Sequence, residues 1–314
     1  MSNSTICSLV PKDASSDAGV AGAGVLLSFI ITAALSVLLS ATIILSELRR
    51  NSEAKIYRKI LLSFSDQQIL TGIGIQTVGL VKMDSIVPYH FFIIWMLSML
   101  STATHGAALL ALVNDFRRDW VLRWLRQFLM FINLVLSCTY GVLVAMNVTK
   151  DLQPTLPISC VWKIPARKAP SYLGISIVGT IAVMAGSCIV FALGVWFLHS
   201  RRERWNKIIQ VAGLAVLTAI GVGAAIRVIL LSQAFGSPSV SLRDTNEKDW
   251  SFGQLLPLLL LLLPLMSVIE LIRGEMRVPA PVMEGEYIGE EKNQARLSFE
   301  PNPFWGSRSN LVAK

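Results

Sequence analysis

Seven apolar runs succeed one another along the chain, over residues 20–45, 60–81, 87–113, 128–148, 171–198, 208–231 and 252–272. A run of about 20 such residues is long enough to cross the hydrocarbon of a bilayer as a helix. A helix also satisfies its own backbone groups where no water can. The pattern therefore predicts an all-α bundle of seven transmembrane helices joined by short polar loops. Residues 1–19 form a polar N-terminal segment, 20–272 the helical domain, and 273–314 a polar, mostly disordered tail. The first run is long and lacks a basic segment before it, so it reads as a retained span and not as a signal peptide.

Composition agrees with this picture. The chain is 53% hydrophobic and only 15% charged, where a soluble domain carries about 25% charged residues. The net charge of +8 would suit nucleic acid, but the basic residues stand in small clusters between apolar runs. The expected partners are thus the lipid bilayer and a small hydrophobic ligand, with no nucleic acid. Lysine and arginine also give the orientation. Loops 46–59, 114–127 and 199–207 and the tail hold 19 of the 28, the alternate loops eight, and Arg227 stands within a span. By the positive-inside rule the rich side is cytosolic, which puts the N-terminus outside and the C-terminus inside. The location implied is the plasma membrane or the endoplasmic reticulum.

Two features of the outer side fit that orientation. Asn3-Ser-Thr5 is a glycosylation acceptor pattern. Cys7 and Cys160 lie in outer segments, where an oxidising compartment would permit a disulfide. A second sequon, Asn147-Val-Thr149, stands too near the membrane edge to be modified. The outer loop 149–170 carries Lys163, Arg167 and Lys168 beside Trp162 and reads as a solvated loop, or as a lid over anionic ligands. On the inner side Trp120, Trp124 and Trp205 read as interfacial anchors.

The candidate chemistry is the set of polar groups inside the apolar runs. Asp66, Gln67 and Gln68 interrupt the second, and a central Asp costs about 2.5–3.5 kcal/mol to insert. Ser65, Gln68, Gly72, Gln76 and Gly79 share one helical face, where small residues admit a neighbouring helix and amides can bond across it. Asp66 lies a quarter-turn aside, and Gln67 faces away. The third run has its own stripe, Ser98, Ser101, Thr102 and His105. By rise per residue Asp66 and His105 lie about 9 Å and about 12 Å from the cytosolic ends of their antiparallel helices, so the two could meet, and whether they touch is left open by the sequence. Gln76, His90 and Arg227 share a depth in the outer third and are candidates for a second cluster, with outward snorkelling of Arg227 the alternative. Glu270 is expected to pair with Arg273 or Arg277, and Pro257 and Pro264 to kink the last span. No metal site is expected, since the three histidines, His90, His105 and His199, sit at three depths and the four cysteines form no CxxC. No cofactor motif appears either.

Three stretches carry a family resemblance: Leu62-Ser-Phe-Ser-Asp-Gln-Gln-Ile-Leu-Thr-Gly72; Tyr89-His-Phe with Ser101-Thr-Ala-Thr-His105; and Trp250-Ser-Phe-Gly-Gln-Leu-Leu-Pro-Leu-Leu-Leu. Together they make the chain similar to a family of uncharacterised fungal polytopic membrane proteins with a Ser-Asp-Gln-Gln-x-x-Thr-Gly element on the second span. That pattern has Tyr-His-Trp where this chain has Tyr-His-Phe. The resemblance implies fungal origin, a shared fold over spans two to seven and a link with secondary metabolism. It implies no reaction.

The leading functional expectation is a receptor-like or accessory seven-helix protein, from the topology and the outer cysteines. The alternative is a membrane-embedded biosynthetic enzyme, such as a terpene cyclase, in which Asp66 would protonate an olefin or epoxide. A metabolite transporter is disfavoured because no repeat relates the two halves of the chain.

Overall fold

The computed structural model describes residues 7, 10–48, 55–118, 120–164, 173–199 and 206–273. The chain divides into two units, Met1–Val278 and Pro279–Lys314, and all described residues belong to the first. Asn3, Arg167, Lys168, Trp205, Arg277 and the tail fall outside the described residues, as do the side chains of Trp120 and Glu270.

The described residues are helical almost throughout, with one isolated backbone bridge between Ala14 and Leu242. The first apolar run becomes a single turn, α1 (Ala18–Ala21), then α2 (Ala23–Leu48), with Gly22 extended between them. There follow α3 (Lys55–Val81), α4 (Pro88–Ala111), the short α5 (Val113–Arg118), α6 (Trp120–Lys150), a 3-10 turn (Ile158–Trp162), α7 (Leu173–His199) and α8 (Asn206–Leu231). Pro88 occupies the first turn of α4, where its missing N–H costs nothing.

Among the described residues, five segments are long and apolar enough to cross a membrane: Ala18–Glu47, Pro88–Ala111, Arg123–Lys150, Ile177–His199 and Lys207–Leu231. The other two of the seven expected spans do not reach that standard alone, for different reasons. α3 has the length, but its basic start and the polar residues Asp66, Gln67, Gln68 and Gln76 dilute its apolar character. The last run is broken into α9 (Phe252–Leu260) and α10 (Leu263–Ile272). Pro264 cannot donate to the carbonyl four residues before it, so the chain tightens there: Leu261 and Leu262 bond the carbonyls of Leu258 and Leu259, three residues back.

α4 is the axis of the bundle. It packs against α2, α3, α6, α7 and α8, and those five pack against one another in the cyclic order α2, α3, α6, α7, α8. Of its most apolar stretch 94% is buried, against 22–44% for the other four candidate spans. It is the least apolar of the five candidate spans, and this enclosure shields its polar residues, among them His90, Ser98, Ser101, Thr102, Thr104 and His105, from lipid. α9 and α10 lie outside the ring, against α2 and α3 respectively. In lipid the exposed leucines of α9 and α10 cost little, because hydrocarbon is as apolar as they are.

Close backbone approach locks α3 into the bundle. A Cβ on Gly72 would lie 2.3 Å from Ser101 Oγ and 2.9 Å from Asn133 Oδ1. At Gly24 of α2 it would lie 1.9 Å from the carbonyl oxygen of Gln254 on α9. At both positions only hydrogen fits.

Candidate functional site

Polar groups gather at three levels along α4. The first is a cap at its N-terminal end. Cys7 is disulfide-bonded to Cys160 of the 3-10 turn, across a sequence separation of 153. That turn bonds back onto the α3–α4 connection, Ile158 N–H to Ile86 O at 2.9 Å and Ser159 N–H to Met83 O at 3.2 Å. The connection after α8 folds over the same end: Ala14 and Arg243 N–H groups bond Ser241 O and Ala14 O. Under this cover Glu247 is fully buried. One carboxylate oxygen lies 2.6 Å from His90 Nε2, and the other accepts the Tyr89 hydroxyl at 2.8 Å. The Tyr89 oxygen in turn accepts the Gln233 backbone N–H at 2.8 Å. Lys82 pairs with Asp17 at 2.7 Å, and the Asp17 N–H points at the His90–Glu247 pair. Such a buried pair must be well bonded to offset its desolvation, and here the carboxylate uses both oxygens.

The second level is the α3–α4–α6 seam. Gln76 Nε2 donates to Asn133 Oδ1 at 2.8 Å, and Asn133 Nδ2 to Thr102 Oγ1 at 3.2 Å. Ser98 and Ser137 hydroxyls lie 2.9 Å apart, Ser101 donates to Gln68 O at 2.9 Å, and Tyr140 donates to Gln76 O at 2.7 Å. Each such bond across helices in a membrane is worth about 0.6 kcal/mol on average. Several neighbouring atoms remain without a partner: Ser65 Oγ, Gln67 Oε1, Gln68 Nε2, Gln76 Oε1 and His105 Nδ1.

The third level is the end that carries the arginine-rich loops. Arg58 bridges Glu47 at 2.6 Å and Asp115 at 2.8 Å, tying together α2, α3 and α5. Arg126 of α6 holds both carboxylate oxygens of Asp66 at 2.8 Å and lies over the Phe116 ring at 5.5 Å. Beside it Arg123, Arg126 and Gln127 pack with Leu109, Phe116, Met130 and Leu198 around a dent that has no room for a water molecule.

These placements decide two questions that the sequence left open. Asp66 does not pair with His105: α6 supplies Arg126 from the adjacent face, and a fork of two guanidinium hydrogen bonds outcompetes one imidazole. His105, 2% exposed, points into the packed interior with its Nδ1 unpartnered. Nor do Gln76, His90 and Arg227 meet. Gln76 is held by Asn133, His90 by Glu247, and Arg227 is exposed on the outer flank of α8. Equal depth did not mean a shared face. The loop after α6 is not simply solvated, since Ile158, Cys160 and Val161 are buried, although Trp162 stays 60% exposed.

Asn133, Ser137, Tyr140, Arg126, Glu247 and Gln254 were not among the expected site residues. The first three recur at helical spacing on α6, the same signal that marked α3 and α4, and could have been read. Gln254, which donates to Asn246 O and Asp249 O, is likewise a polar group inside an apolar run and could have been read; Glu247 could not, because nothing local separates it from solvated loop residues. No group of three or more metal-ligating side chains occurs among the described residues. No protein-family model, curated protein or solved structure matches the chain.

Proposed function

We propose that the chain is a seven-pass membrane protein of the receptor-like or accessory kind, with the disulfide-closed cap outside and the arginine-rich loops in the cytosol. The observation that carries this reading is the position of α4. It holds the buried cap through Tyr89 and His90 at its start, and its far end runs into α5, where Asp115 is bound to Arg58 and through it to Glu47. A packed, enclosed helix of this kind is an element through which one end of the molecule can be coupled to the other. In this reading α3 and the α9–α10 pair complete the seven passes as part of the bundle, and the Cys7–Cys160 bond supports an oxidising side for the cap.

The acid-catalysis alternative is less well supported. Asp66 would need a free carboxyl facing a substrate chamber. Instead both of its oxygens are engaged by Arg126, and its side chain is 43% exposed on the bundle's flank.

The resemblance to fungal polytopic proteins fits a structural use of the shared stretches. Gln68, Gly72, Tyr89, His90, Ser101 and Gln254 all sit at close contacts or hydrogen bonds between segments.

The test is metabolite profiling of the native host with and without the gene, alongside growth and signalling readouts. An unchanged profile with altered growth or signalling is expected. Loss of one compound with build-up of its precursor would overturn this reading in favour of an enzyme. A tag after Lys314 should be protected from external protease in intact cells, and its cleavage would reverse the orientation.

A further inference from the structure

Two of the four cysteines are joined in the cap, and the other two meet far from it. Cys138 of α6 and Cys188 of α7 are free thiols whose Sγ atoms lie 3.7 Å apart. The two helices approach closely here. One turn along, a Cβ on Gly141 would lie 2.3 Å from Met184 Sδ. A disulfide requires neighbouring backbones with the sulfurs turned toward each other, and the seam offers both.

The position of the pair selects its oxidant. By helical rise the two residues stand about 16–23 Å from either end of their candidate spans, Arg123–Lys150 and Ile177–His199. That is the middle of a hydrocarbon layer about 30 Å thick. Cys188 is exposed on the bundle's flank, as are Val135 and Val142 on α6 and Ile181 and Ile189 on α7. In a bilayer this flank meets acyl chains, which charged, water-soluble oxidants do not enter. Making an ion at that depth is costly, so a reaction between neutral species is favoured.

We propose that Cys138 and Cys188 form a redox site that reduces lipid peroxyl radicals in the surrounding acyl chains. The exposed Cys188 gives its thiol hydrogen atom to one peroxyl radical, and Cys138 gives its own to a second. Each peroxyl radical becomes a lipid hydroperoxide, and the two sulfur radicals couple into a disulfide that joins α6 to α7. Two S–H bonds break, two O–H bonds and one S–S bond form, and no charge is created. The assignment depends on α6 and α7 lying in a bilayer but not on the receptor-like reading, so a failed gene-deletion test leaves it intact.

The experiment places the full chain in vesicles of polyunsaturated phosphatidylcholine with a lipid-soluble azo initiator, which generates peroxyl radicals in aerated membranes. Intact-mass analysis after alkylation should show the loss of two hydrogen atoms and of both reactive thiols, and digestion should release a Cys138–Cys188 linked peptide. Oxidised glutathione in the water phase should act at least about tenfold more slowly, because exchange requires access to the sulfur. Cys138→Ser and Cys188→Ser, close in size to the original, should each abolish the linked peptide, with helical circular dichroism verifying the fold. The wild-type chain alone gives the main result, so the proposal does not hang on either variant. Thiols that survive while lipid hydroperoxides accumulate would overturn it. Oxidation by glutathione at a comparable rate would do the same, as would disulfides formed between two copies instead of within one.

Discussion

Asp66 shows how little depth alone says about pairing. On α3 it could have been turned toward α4 or toward α6, and the direction of one side chain decided between a histidine and an arginine. The bidentate Asp66–Arg126 contact predicts coupling: in a double-mutant cycle with Asp66→Asn and Arg126→Gln, thermal unfolding should show an interaction on the order of 1 kcal/mol, modest because the carboxylate is partly exposed. Asp66→Asn and His105→Ala should be additive, since they share no partner. Coupling between the latter two, with none to Arg126, would contradict the geometry. The cap teaches a related lesson. Glu247 stands among Asp244, Lys248 and Asp249 in a stretch that reads as solvated, yet it is the most buried acid of the described residues. Its burial comes from three other segments closing over it.

Among the elements, α3 is the one whose design was most legible. Its stripe of Ser65, Gln68, Gly72, Gln76 and Gly79 predicted a close polar interface; Gln68, Gly72 and Gln76 meet α4 and α6 through bonds or contact, a Cβ on Gly79 would strike the Tyr140 hydroxyl at 2.1 Å, and Ser65 is buried with its hydroxyl unpartnered. Two glycines on this helix give a controlled comparison. Gly72→Leu must push α4 and α6 away and should lower stability by about 1–3 kcal/mol or abolish expression. Gly74 has nothing within 4 Å of its Cβ position, so Gly74→Ala should stabilise the helix by up to about 1 kcal/mol. Midpoints of thermal unfolding in the same detergent would report both. Equal effects at the two sites would mean that α3 is not seated as described. The last apolar run was read correctly as interrupted, but as a kink; the break into α9 and α10 follows from Pro264 withdrawing a hydrogen bond where α10 turns to reach α3.

For the molecule as a whole, the Cys7–Cys160 bond fastens the N-terminal segment to a turn that follows α6. A disulfide closing so long a segment restrains the unfolded chain and typically contributes about 2–4 kcal/mol. Cys7→Ser and Cys160→Ser should therefore lower the unfolding midpoint alike, and the double variant no further. A faster-migrating species on non-reducing gels, lost in each variant, would report the bond directly. Variants as stable as the wild type would show that the cap holds without it.

Length and apolar content of the runs determined the helices, because a chain in hydrocarbon has no other way to satisfy its backbone. The stripe on α3 determined which face of that helix turns inward, because helical spacing is a local property. What occupies the centre was decided only in three dimensions. The third run is the most polar of the five candidate spans, which favours protein over lipid around it, but that five helices surround it follows only from their packing. The partners of Asp66, His90 and Gln254 include residues 60, 157 and 230 positions away. Such pairings depend on how whole helices rotate and cross, and that rotation is set by the summed packing of many side chains, which no local pattern records.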